Sequence, residues 1–225
     1  MHTTRRLFLA GSGLVLAGCT GGARGASKAS DEEKGEEVTP AEDLMREHGV
    51  LRRVMYLYDE AIERFGAGRE VPLDALAGGA GIIRHVIEDY HEKLEEQDVF
   101  PQFERAGKLV ELTATLRKQH EVGRALTDRI LALAKAPLAD ADRATLATTL
   151  HAFNHMYRAH AAREDTVLFP ELRGLVGAKA YEELGEQLEA KETQILGERG
   201  FERAVADVAK LEQAFGVDDL AKLTP

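Results

Sequence analysis

From Ala41 onward the apolar positions of the chain recur with the three- and four-residue spacing of amphipathic helices. The pattern predicts a first helix over about 41–65, broken by Gly66-Ala67-Gly68, and a second over about 73–104, ending near Gly107. A third is expected over about 108–135, stopping before Pro137, and a fourth over about 140–168, closed by Pro170. Pro101 falls inside the second helix, where it lacks an N–H and crowds the preceding turn, so it should kink or end the helix there. A further helical stretch runs from Ala178 to about Phe215 and carries no His, as expected of packing or capping structure. Connections of a few residues between long helices imply antiparallel neighbours. The expected fold is all-α, an up-down-up-down four-helix bundle with extra C-terminal helices.

The first 40 residues do not share this pattern. Residues 1–19 read as an export leader rather than as part of the fold. Thr4-Arg5-Arg6-Leu7-Phe8-Leu9-Ala10 resembles a bacterial twin-arginine motif, and Leu16-Ala17-Gly18-Cys19 resembles a lipobox, with acylation expected on Cys19. The apolar stretch between them is too short to span a bilayer, which needs about 20 residues. Cys19 is the sole cysteine, so a disulfide within the chain is excluded. The twin-arginine route carries folded proteins, often with a cofactor inserted, and so suits a metalloprotein. Residues 20–40 are Gly/Ala/Ser-rich and then acidic, which reads as a solvated tether. The domain is thus expected at 41–172, with a helical extension at 173–225. The expected location is the bacterial cell envelope, with lipid anchoring to a membrane.

Ala, Leu, Glu and Arg are abundant, which favours helix, and the formal charge of −10 argues against nucleic acid and against binding to anionic lipid surfaces. Contact with the membrane is therefore expected through the lipid anchor only.

The candidate chemistry lies in a repeat. His91-Glu-Lys-Leu-Glu95-Glu-Gln-Asp-Val-Phe100-Pro101 returns 69 residues later, with no internal gap, as His160-Ala-Ala-Arg-Glu164-Asp-Thr-Val-Leu-Phe169-Pro170. His and Glu at i and i+4 share a helical face and can hold one metal ion between them. The first and third helices add His48 and His120. Counting along antiparallel helices places His48, His91, Glu95, His120, His160 and Glu164 in one band near one end of the bundle. Four His and two Glu in one buried layer are costly for packing alone, because a buried Glu without a partner must take a proton or find a cation. Imidazole and carboxylate suit iron, manganese or zinc, and the absence of thiolate removes the soft-metal sites.

Glu47-His48, His91-x-x-x-Glu95-Glu96-x-x-Val-Phe-Pro, Gln119-His120-Glu-x-Gly-Arg124 and His160-x-x-x-Glu164-Asp165-x-x-Leu-Phe-Pro together resemble the bacterial hemerythrin-like, or HHE cation-binding, domain. The resemblance covers about residues 41–172. It implies a non-haem di-iron centre with two iron ions, oxo- or hydroxo-bridged. On that resemblance His48, His91, His120 and His160 are terminal ligands and Glu95 and Glu164 are bridging carboxylates. Oxygen-carrying hemerythrins place a second His one turn from the third-helix His, and here those positions are Leu116 and Arg124. That departure speaks against reversible O2 carriage.

The remaining candidates are expected to lie elsewhere. His155 is five residues from His160, about 140° round the helix, so His151 and His155 should occupy another face, as should His85. Glu92 and Glu96 flank the first pair and read either as hydrogen-bonding partners behind the ligands or as surface charge, with the surface favoured. Tyr56, Tyr58, Tyr90 and Tyr157 could approach the centre but read first as core residues with wet hydroxyls, and Phe100, Phe103 and Phe169 as packing at the end of the core. Three functions fit: binding or sensing of a small diatomic ligand, peroxide or iron; reduction of peroxide or NO by a di-iron enzyme; and a structural bundle with an unused site. The first ranks highest because no substrate pocket is legible.

Overall fold

Thr39 starts the fold with a capping box. Its side chain accepts from the Glu42 N–H at 3.3 Å, and the Glu42 carboxylate accepts from the Thr39 N–H at 2.9 Å. With Pro40 at the first helical position, this pair satisfies donors that a helix start leaves open. Helix α1 then runs over Pro40–Gly66. The computed structural model describes residues 38–135 and 137–223. The leader at 1–19 with Cys19, and the tether up to residue 37, lie outside the described residues.

Helix α2 is continuous but changes pitch. It opens as Leu73–Ile82, passes through π-helical turns at Ile83–His91 and Glu95–Val99 on either side of Glu92–Leu94, and finishes as Phe100–Ala106. Gly107 closes it with φ 65°, a left-handed conformation that glycine adopts without strain. Helix α3 covers Val110–Leu133. Helix α4 runs as Asp140–Arg163, then a π turn at Glu164–Leu168, then Phe169–Val176. Neither proline stops its helix, contrary to expectation for Pro170. Each sits at the second position of the segment after a π turn, where the turn has already rearranged the bonds its ring would disturb.

The helices neighbour one another in the cycle α1–α2–α3–α4, with α4 back against α1. The result is the expected all-α bundle. One end is aliphatic, filled by residues such as Leu57, Leu76, Ile83, Ile130, Leu146 and Leu150, all fully buried. The polar layer lies toward the other end. The C-terminal extension forms the expected extra helices, α5 over Ala178–Ile195 and α6 over Gly200–Phe215. Helix α6 lies on α1 and the start of α2. Arg53 holds it through two hydrogen bonds to Glu212, at 2.7 and 2.5 Å. Gly78 lets it approach closely: a Cβ there would lie 3.0 Å from a Leu211 methyl carbon. Among the described residues no helix is long and apolar enough to cross a membrane.

Candidate metal centre

The structure brings all six expected residues together, and all are buried. Their ligand-capable atoms form two groups that share both carboxylates. One is His48, His91, Glu95 and Glu164; the other is Glu95, His120, His160 and Glu164, and within each group the atoms lie within 4.8 Å of one another. Glu164 Oε2 is 3.4 Å from His48 Nε2 and 3.1 Å from His160 Nε2. Glu95 is 3.5 Å from His91 Nε2 through one oxygen and 3.4 Å from His120 Nε2 through the other. Each carboxylate therefore reaches both groups.

The four imidazoles are aimed by their other nitrogens. His91 Nδ1 lies 2.7 Å from Glu47 Oε2 and His48 Nδ1 lies 2.7 Å from Asp165 Oδ1. His120 Nδ1 lies 3.1 Å from Glu96 Oε1 and His160 Nδ1 lies 2.9 Å from Gln119 Oε1. Carboxylate and amide oxygens only accept, so each Nδ1 carries a hydrogen, and each Nε2 presents its lone pair inward when the ring is neutral, the form that binds a metal. Every one of these acceptors is the chain neighbour of a ligand-type residue on its own helix. Consequently α1 orients the His of α2, α2 that of α3, α3 that of α4, and α4 that of α1. Backing of this kind fixes the tautomer and raises the basicity of histidines that hold metals.

Left without a cation, the layer is poorly satisfied. Both oxygens of Glu95 and of Glu164, and His91 Nε2, are buried without a hydrogen-bond partner. The Nε2 atoms of His120 and His160 face each other at 3.2 Å, lone pair to lone pair. Native interiors rarely tolerate several such orphans in one place. A positive ion in each group would satisfy them all, so the residues present fit a pair of metal ions.

The titration behaviour of the metal-free protein follows from the same crowding. Burial first, and then the charge of Glu164, push the Glu95 carboxyl well above the usual range. Burial acts upward on Glu164 too, but the charges of His160 and His48, whose Nε2 atoms lie 3.1 and 3.4 Å from it, outweigh burial and hold Glu164 far below that range. Burial lowers His91 and takes His120 down to about 4. For His48 burial also acts downward, yet the hydrogen bond to Asp165 and the charges of Glu164 and Asp165 carry it up to about 9.

An approximate two-fold axis relates the halves. Arg52 backs Asp165 behind His48 as Arg124 backs Glu96 behind His120. Phe169 stacks on His48 at 5.7 Å and Phe100 on His120 at 5.6 Å, so these rings cover the layer as well as pack the core. The symmetry fails around His160. There Tyr157, fully buried, donates its hydroxyl hydrogen to Glu92 Oε1 at 2.6 Å, and its ring lies 5.4 Å from that of His160. Gly123 makes the space, since a Cβ on it would sit 1.9 Å from the Tyr157 oxygen.

Two expectations need correction. Glu92 is buried and Glu96 half-buried rather than at the surface, because Arg124 from α3 pairs with both and Tyr157 from α4 with the first. Burial nevertheless raises Glu92 to about 8. Tyr58, Tyr90 and Tyr157 are fully buried, so their hydroxyls are not wet, whereas Tyr56 is half-buried. His85, His151 and His155 are exposed and away from the layer, as expected. Arg124 turns to the two carboxylates rather than into the layer, and it already fills the cationic place among Glu92, Glu96 and His120. Sequence reasoning missed Glu47, Gln119 and Asp165 as orienting groups; their position beside a ligand-type residue was the available signal.

Comparison with known proteins agrees with this geometry. The chain is 44% identical over 217 residues to an uncharacterized protein of Mycobacterium bovis, covering 94% of this chain and 85% of the relative. Uncharacterized proteins of two Mycobacterium tuberculosis strains match with the same identity and coverage. No solved structure matches. Residues 39–172, which carry the whole polar layer and its orienting ring, match the family described as Hemerythrin HHE cation binding domain, and the chain belongs to that family.

Proposed function

We propose that the chain holds two iron ions, with His48 and His91 on one, His120 and His160 on the other, and Glu95 and Glu164 between them. The observation that carries this reading is the inward aim of four imidazole lone pairs at two buried carboxylates whose oxygens lack partners. Bound iron would supply reversible redox chemistry and open positions for O2, NO or peroxide. The protein's own residues orient the imidazoles and exclude water, with Phe100 and Phe169 lying over His120 and His48. The function supported best is binding or sensing of O2 or iron.

One observation favours catalysis as a second reading. Tyr157 donates its hydroxyl to Glu92, whose carboxyl burial raises to about 8, and the Tyr157 ring lies 5.4 Å from that of His160. Glu92 can therefore carry a proton near the layer, as reduction of peroxide or NO requires. Anaerobic loading with Fe(II), followed by elemental analysis and absorption spectroscopy, tests the centre. Two irons per chain with coupled di-ferric bands are expected, and a single zinc per chain would refute it. Turnover on adding peroxide or NO would select the enzyme.

The location follows from the leader. The twin-arginine and lipobox motifs support export to the cell envelope and anchoring through Cys19. Membrane fractionation of Cys19→Ala should show release or an unprocessed precursor; normal fractionation and processing would end that reading.

A further inference from the structure

The orienting ring is uneven. His48 and His91, which share one group, are both backed by carboxylates, Asp165 and Glu47, each at 2.7 Å. In the other group His120 is backed by Glu96 at a longer 3.1 Å, and His160 by the neutral amide oxygen of Gln119 at 2.9 Å. Asp165 and Glu96 each share their charge with an arginine, Arg52 and Arg124, and Glu96 shares it with Lys93 as well, at 2.9 Å. A carboxylate accepting from Nδ1–H pushes electron density toward Nε2 and makes it the better donor to a cation; an amide does so much less. The repeat isolates the cause. Glu47 precedes His48 as Gln119 precedes His120, so the two positions are equivalent under the approximate two-fold axis and differ by one charge.

We propose that the two metal positions are unequal and that Gln119 sets the difference: the position of His120 and His160 holds its ion more weakly than that of His48 and His91, and empties first. Gln119 is a positioning residue acting through His160. The proposal rests on the reading that the layer holds two ions. It gives the centre a tightly held ion and an exchangeable one, as a protein that senses or hands on iron would use.

Chelator competition on Fe(II)-loaded full-length chain under anaerobic conditions tests this. The wild type should release its ions in two steps whose affinities differ by about 10- to 100-fold, the usual range for loss of an orienting partner. Crystals grown with one equivalent of Fe(II) should show anomalous scattering at His48 and His91. Gln119→Glu should bring the two steps together by strengthening the weaker one. Glu47→Gln should bring them together by weakening the stronger one, and it supplies a second measurement should Gln119→Glu fold poorly. Release of both ions in one step, or a Gln119→Glu protein with the wild-type separation, would overturn the inequality while leaving the two-ion centre intact. A wild-type chain that binds no metal would instead overturn the two-ion reading, and this inference with it.

Discussion

Glu95 and Glu164 occupy equivalent places in the two repeats, yet in the metal-free protein they are expected to act on stability in opposite directions. Both carboxylates are fully buried with oxygens that lack hydrogen-bond partners, and what separates them is charge: burial and then the charge of Glu164 raise Glu95. At neutral pH the fold must therefore either hold an uncompensated charge or take up a proton, each costing a few kcal/mol. Glu164 is held ionised by His48 and His160. Glu95→Gln removes the unfavourable carboxylate and keeps its shape, so the metal-free variant should gain on the order of 2 kcal/mol. In a domain of this size that is a rise in Tm of about 4–8 °C. Glu164→Gln leaves His48 and His160 without their partner and should lower the metal-free Tm by a similar amount. Metal reverses the ranking. A wild-type chain with metal at 100 times its Kd gains about 2.7 kcal/mol, and both variants should lose that gain together with the coupled spectrum. The assay is calorimetry of all three proteins with chelator and with excess Fe(II). A metal-free Glu95→Gln protein less stable than wild type would refute the reasoning, because Glu95 would then be an ordinary satisfied core residue.

Other perturbations probe separate parts. In metal-free protein Glu92 is raised from 4.5 to about 8 and His48 from 6.5 to about 9, so the folded state holds protons that the unfolded state has released. The Glu92 contribution should be lost between about pH 4.5 and 8 and that of His48 between about 6.5 and 9. Stability should therefore fall with rising pH where both act, while metal affinity rises as the His48 proton leaves; denaturation and metal titration across this window would show both. Gly123→Ala should displace Tyr157 and break its bond to Glu92, costing about 3 kcal/mol in thermal melts, with part of the loss recovered in Gly123→Ala/Tyr157→Leu. His151→Ala and His155→Ala should bind iron normally, since both rings are exposed and stack on each other at 6.2 Å, whereas His160→Ala should not. Iron loss in His155→Ala equal to that in His160→Ala would mean the fourth helix presents another face.

The helices and the six-residue layer were legible because both rest on periodicity: i,i+4 pairs and short connections constrain where antiparallel helices can place a side chain. What stayed hidden depends on partners from other helices. Glu92 looked like surface because carboxylates usually are, and only the meeting of Arg124 and Tyr157 with it makes burial tolerable. The orienting ring has a sequence trace that becomes meaningful only in a bundle. Adjacent residues point about 100° apart on a helix, so when His48 faces the centre its neighbour Glu47 faces the next helix, where His91 stands. The same holds for Glu96, Gln119 and Asp165.

The prolines show how a local rule can predict the wrong outcome for the right reason. Pro101 and Pro170 cannot donate, and their rings crowd the turn before, so the sequence reads a kink or an end at the first and a stop at the second. The chain instead widens that turn to a π turn in both repeats: the Phe100 N–H bonds to the Glu95 carbonyl, and the Phe169 N–H to that of Glu164. In an α-helix residues five apart are rotated by about 140°, which would turn Phe100 away from the face of Glu95. A bond between i and i+5 stacks them on nearly the same face. Glu95 and Phe100 can therefore both reach His120, the carboxylate at 3.4 Å and the ring at 5.6 Å. Glu164 and Phe169 reach His48 in the same way, at 3.4 and 5.7 Å. The Phe-Pro that ends each repeat is thus a means of bringing an acid and its hydrophobic cover to one imidazole, and this explains why it recurs beside each His-x-x-x-Glu.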